Sequence, residues 1–136
     1  MLTAHPTAHT DNDVSVLDKK TNSVWLSDLL FVEHIPVLDG SLKGWLKVLN
    51  KLEQHAYKTV IPGHGAVVTD WPKSMQPEKQ YLERLLHEIR VMLAKGQFIE
   101  QAIEQVGYSE KSKWLLFDKY HKRNVTSAFA ELEWED

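Results

Sequence analysis

The run Thr59-Val60-Ile61-Pro62-Gly63-His64-Gly65 constrains this chain more than any other segment. Thr59, Val60 and Ile61 are β-branched and read as a short buried strand. Pro62 closes it, because proline donates no ladder hydrogen bond. Two glycines then bracket a histidine. Their backbone freedom lets the His64 imidazole project from a tight loop just past a strand end. Open α/β sheets place ligand-binding groups in that position. Upstream, Val24-Trp25-Leu26 reads as another strand, followed by Ser27-Asp28-Leu29-Leu30-Phe31. Between the two strands, Leu42, Trp45, Leu46, Leu49 and Leu52 form one apolar helical stripe, with Ser41 placed as N-cap. The passage from Trp25 to Ile61 is therefore strand, helix, strand.

The flanking segments extend this pattern. Val14-Ser15-Val16-Leu17 predicts a strand, and Asp18 to Asn22 a hairpin turn into the next. Pro77 suits the first turn of a second helix, with Glu78 near its positive end. Leu82, Leu85, Leu86, Ile89 and Leu93 mark its buried face, and Gly96 its stop. Ile99, Ala102, Ile103 and Val106 give a shorter helix ending at Gly107. An aromatic cluster follows, from Trp114 to Tyr120. A last helix is expected to start near Asn124, as its N-cap, and to bury Val125, Ala128, Phe129 and Leu132. Residues 1–136 thus read as a single domain of the α/β (α+β) class, a short sheet with helices on one face. Such a sheet leaves its other apolar face uncovered.

Composition excludes several classes. The chain has 136 residues, 43% apolar and 26% charged, enough for a packed core and too apolar for disorder. Its net charge of −3 gives no basis for a nucleic-acid or anionic-membrane surface. Cysteine is absent, so disulfides and thiolate ligands are excluded. No apolar run approaches the ~20 residues of a membrane span. The expected location is the cytoplasm if Met1 is the native start.

Three polar positions suggest chemistry. His64 sits in the Gly-His-Gly loop. Asp28 lies among apolar residues, where a carboxylate needs a pair, a hydrogen bond or a metal. His9 precedes Thr10 in a polar segment. Two imidazoles and a carboxylate suit zinc or iron. Each also has a plainer role: His64 and Asp28 as turn or strand-end caps, His9 as a solvated residue near a terminus. Of the other histidines, His5 is expected to fray, and His55 and His87 to lie on helix surfaces or ends; His34, in a loop near the candidate site, is expected to serve the loop, with a contact to the site or substrate as the alternative.

The order His9-Thr10, then Ser27-Asp28-Leu29-Leu30-Phe31, then Pro62-Gly63-His64-Gly65 resembles the second half of the metallo-β-lactamase superfamily. The segment Phe31-Val32-Glu33-His34-Ile35-Pro36-Val37-Leu38-Asp39-Gly40-Ser41-Leu42-Lys43-Gly44-Trp45 is similar to the branch called quinoprotein relay system zinc metallohydrolases. So are Tyr120-His121-Lys122-Arg123-Asn124-Val125 and Glu131-Leu132-Glu133-Trp134. The resemblance implies half of an αββα sandwich, with His9, Asp28 and His64 as metal ligands and Asp28 bridging two metals. The family's first-half motif, His-X-His-X-Asp-His, occurs nowhere in this chain. That leaves two ligands per metal and no acid/base aspartate. Zinc or iron should bind weakly or not at all, and the chain alone should be inactive. Its partner is expected to be a second copy, in a homodimer, or a missing N-terminal half. A metal-free module that binds a partner through the open sheet face is the alternative.

Overall fold

The computed structural model describes residues 1–135. Four strands form one mixed sheet in the order β1-β2-β3-β4: Leu2–Ala4, Val14–Asp18, Ser23–Phe31 and Thr59–His64. The first three are antiparallel neighbours, and β3 and β4 run parallel. Helix α1, Leu42–Leu52, makes the crossover between that parallel pair. Helices α2, Gln76–Ala94, α3, Ile99–Gln105, and α4, Phe117–Leu132, follow. The class is α+β, consistent with half of a metallo-β-lactamase sandwich.

Strand register sorts the side chains onto two faces. Directly opposed residues share a face. Leu17, Val24 and Val60 form an inward row, and Val24 and Val60 are fully buried under the helices. Leu2, Val16, Trp25 and Ile61 form the neighbouring outward row. Of these, Leu2 is 73%, Val16 38% and Trp25 44% exposed. One sheet face is therefore core, and the other is an apolar surface without cover.

Helix α1 forms where the apolar stripe requires. Leu42, Trp45, Leu46, Leu49 and Leu52 are all buried, and the Ser41 hydroxyl accepts the Gly44 N–H at 2.9 Å. Glu131 of α4 adds a long-range cap. Its carboxylate accepts from the Leu42 N–H at 2.7 Å and the Lys43 N–H at 3.1 Å. Negative charge at a helix N-terminus is favourable, and here it ties the last helix to the first.

Four features differ from the sequence reading. Leu2–Ala4 is a strand, pairing with Val14–Val16, and is too short to announce itself by periodicity. His5 does not fray: its Nε2 lies 2.7 Å from the Ser15 hydroxyl. Strand β4 continues through Pro62 to His64, which proline tolerates on the edge of a sheet. Helix α4 begins at Phe117, so Asn124 is a mid-helix residue and not an N-cap. Its side chain is fully buried because it holds a loop. Oδ1 accepts the Leu38 N–H at 3.0 Å, and Nδ2 donates to the Pro36 carbonyl at 2.6 Å and the Tyr81 hydroxyl at 3.1 Å.

From Tyr81 the chain of bonds continues to His121 Nδ1 at 2.8 Å, and His121 Nε2 donates to the Val106 carbonyl at 2.7 Å. Tyr81 donates and His121 accepts, so the imidazole is neutral. Burial lowers the His121 pKa, opposed by the Val106 carbonyl and by Glu88. Replacing Asn124 with Leu should cost about 3 kcal/mol or more in urea denaturation, since three buried groups lose their partner. The His121 contribution is present above about pH 6.5 and is lost on acidification, because the unfolded state then binds the proton more readily.

Candidate functional site

The three candidate residues meet at the carboxyl ends of β3 and β4. The local sequence explains how. Ser27 breaks the alternation of β3 with a left-handed φ of 52°, and the β3–β4 register shifts on either side of it. A bulge of this kind re-aims the next side chain. Asp28 therefore sits within the strand, not in a loop after it, and its carboxylate points to the sheet edge while Leu29, Leu30 and Phe31 are buried. Gly63 makes room: a Cβ there would lie 2.0 Å from Asp28 Oδ1. Its role is space, whereas Gly65 supplies the positive φ, 105°, that turns the chain after His64.

The two oxygens of Asp28 face two imidazoles. Oδ2 lies 3.5 Å from His9 Nε2, and Oδ1 lies 3.4 Å from His64 Nε2. These gaps are too long for strong hydrogen bonds. His9 is buried, not solvated, and its Nδ1 donates to the Val37 carbonyl at 2.5 Å. A carbonyl partner on one ring nitrogen leaves the other bare and oriented, the arrangement typical of metal-ligating histidines. The donor set fits part of a metal centre, with one carboxylate oxygen for each of two imidazoles. Among the described residues, no three His, Cys, Asp or Glu side chains converge closely enough to hold an ion as they stand.

Three residues outside the predicted set surround this cluster: Phe31, His34 and Glu78. The Phe31 ring stacks on His64 with centroids 4.7 Å apart and planes at 8°. The same ring meets His9 and His34, each at 5.4 Å. His34 in turn lies 4.6 Å from His64 and 5.4 Å from Tyr120. So His34 borders the site, the sharper of the two roles its loop position allows. Beneath Phe31, the fully buried Glu78 accepts the Phe31 N–H at 2.9 Å. Its second oxygen has no partner. Burial raises the Glu78 pKa well above the usual carboxylate range, and the Asp28 charge adds to the effect. His55 and His87 are exposed, as expected.

Glu78 allows a test. Its pKa is raised in the folded state, so its contribution to stability is full below about pH 4.5 and is lost as pH rises. Glu78→Gln keeps a neutral acceptor and should gain on the wild type between pH 5 and pH 8. Glu78→Ala strands the Phe31 N–H and should cost about 1–3 kcal/mol at both. Urea denaturation at the two pH values measures this.

No protein-family model matches the chain, and no curated protein matches it. Solved structures do. The metallo-β-lactamase TMB-1, studied for substrate and inhibitor binding, is 16% identical, covers 60% of this chain and aligns with a TM-score of 0.50. A double mutant of the sec-alkyl sulfatase PisA1 is 12% identical, covers 77% and aligns with a TM-score of 0.63. The chain spans 39% of the first structure and 18% of the second. Likeness at this identity speaks of fold, and the fold is that of metallo-β-lactamases, present here as half of the sandwich.

Proposed function

We propose that this chain is the C-terminal half of a metal-dependent hydrolase of metallo-β-lactamase fold, nearest to the quinoprotein relay system zinc metallohydrolases. In this reading His9, Asp28 and His64 are its metal ligands. The observation that carries it is the Asp28 carboxylate, whose separate oxygens face the Nε2 atoms of His9 and His64. A bridging carboxylate between two metal positions needs that disposition. Zinc or iron held there would act as a Lewis acid on a scissile carbonyl, phosphoryl or sulfuryl group. The chain's own residues would do the rest. Val37 holds the His9 tautomer, Phe31 holds the plane of His64, and Glu78 holds Phe31. Each metal has two protein ligands where three are usual, so the half-site is weak and inactive alone.

The metal reading is tested by titration. Zinc or cobalt should bind weakly to the isolated chain. Asp28→Ala and His64→Ala should each abolish the binding, His9→Ala should reduce it, and His87→Ala should change nothing. Isothermal calorimetry and dialysis with metal analysis are the measurements. Turnover of β-lactams, thioesters or phosphodiesters should be negligible even at saturating zinc. Dialysis-resistant, stoichiometric metal in a monomer would count against the ligand deficit.

The second reading, a partner-binding module, is favoured by the outward row of Leu2, Val16, Trp25 and Ile61. A monomer seldom exposes a contiguous apolar sheet face. A second copy or an N-terminal half would bury it, and a stable association needs about 1,000 Å² or more. Val16 stands in the middle of the row beside Trp25, so Val16→Lys should weaken association at least about tenfold in sedimentation or light scattering. A wild-type monomer across micromolar concentrations would exclude the homodimer.

A further inference from the structure

A large cavity lies away from the His9, Asp28 and His64 cluster. It has a volume of about 540 Å³ and opens between α1 and the helix-side face of β1 and β2. His9, Asp28 and His64 are not among its lining residues. Leu17 and Val24 form the floor, and Val48 and Leu52 of α1 form one wall. At one end, beside Thr3, His5 and Ser15 are bonded to each other. Burial lowers the His5 pKa, opposed by the charge of Asp13.

The charge around the opening is one-sided. Lys47 and Lys51 line it, one turn apart on α1, and no Asp or Glu does. The chain as a whole is acidic, with a net charge of −3. Among the described residues, neither lysine is ion-paired, so both ammonium groups are available to a ligand. An apolar cavity of small-molecule size with a purely cationic rim selects a specific chemistry. The tail must be aliphatic, the head anionic.

We propose that this cavity binds a single-tailed aliphatic anion, its chain along Leu17, Val24, Val48 and Leu52 and its head on Lys47 and Lys51. The proposal is independent of the metal reading and stands on different residues. The probe is decanoate, titrated into the 136-residue chain and followed by amide NMR shifts. Saturable shifts are expected at Leu17, Val24 and Val48. Octanoate should bind more weakly, with each methylene worth about three- to fourfold. The Lys47→Glu/Lys51→Glu double variant touches only exposed positions and should fold. It should bind decanoate about tenfold more weakly while leaving decanol unchanged. Filling the cavity by Thr3→Trp, at an exposed position on β1, should weaken both ligands. Decyltrimethylammonium binding as well as decanoate would overturn the head-group assignment. Shifts confined to Val16 and Trp25 would place the ligand on the open sheet face and overturn the site. Absence of any saturable shift would overturn the proposal altogether.

Discussion

The close passage of β4 beside the bulge in β3 is the constraint on which the rest of the site depends. Parallel strands give evenly spaced pairing, and an uninterrupted pair would place Asp28 and His64 wherever the pleat dictated. The left-handed Ser27 interrupts it. Backbone strain of this kind costs of order 1–3 kcal/mol and persists only where the surroundings enforce it. Here Gly63 enforces it by omission, since a Cβ at that position would collide with Asp28 Oδ1 and with the Ser27 backbone. One small residue on β4 and one strained residue on β3 therefore set the separation of a carboxylate and an imidazole. Phe31, three residues beyond Asp28, converts that separation into an orientation by stacking on His64.

Glu78 shows what that orientation costs. An apolar residue there would be easier to bury, but it would leave the Phe31 N–H unsatisfied at the end of β3. Burial raises the pKa of the carboxyl group, and one of its oxygens remains without a partner. Buried polar groups that are only partly satisfied concentrate where the backbone has been bent for a purpose. The Asn124–Tyr81–His121 chain is the contrasting case. Every member is satisfied, and it fastens the loop at Pro36–Leu38 to α2 and α4. That loop carries the Val37 carbonyl that holds His9. The same network that stabilises the helical layer thus fixes the tautomer of a histidine on the opposite side of the loop.

Much of this was legible in the residues. The α1 stripe, the Ser41 cap, the Pro77 start, the Gly96 and Gly107 stops, and β2 through β4 follow from period and punctuation, which are local. What was missed depends on long-range contacts. Leu2–Ala4 is a strand only because Val14–Val16 pairs with it. Asn124 looked like a helix start because asparagine favours caps, and its buried mid-helix role needs partners more than forty residues away in sequence. Asp28 read as a loop residue because a bulge has no reliable signature without glycine. The convergence of His9, Asp28 and His64 was legible only through the family resemblance, since neither spacing nor periodicity brings residues 9, 28 and 64 together. His34 could be placed near the site from its loop, with a plain loop role preferred, and Glu78 reads only as an acidic residue at the start of α2, because its burial beneath Phe31 depends on a contact 47 positions away.

The distribution of apolar surface explains how half a sandwich can hold together. The buried core, from Trp45 and Tyr81 to Phe129, lies between the sheet and the helices. None of it depends on what covers the outward row. Burial on the helix side can therefore supply the folding free energy by itself, at roughly 25 cal/mol per Å² of apolar surface. The helix side stabilises the scaffold that presents Asp28, His9 and His64. On the half-enzyme reading proposed above, folding and completion of the site are separate events: a partner on the open side would bring further ligands together with a cover for Leu2, Val16 and Trp25. A partner that buries this face without adding ligands would give a stable, inactive assembly, and one that does both would couple association to metal affinity.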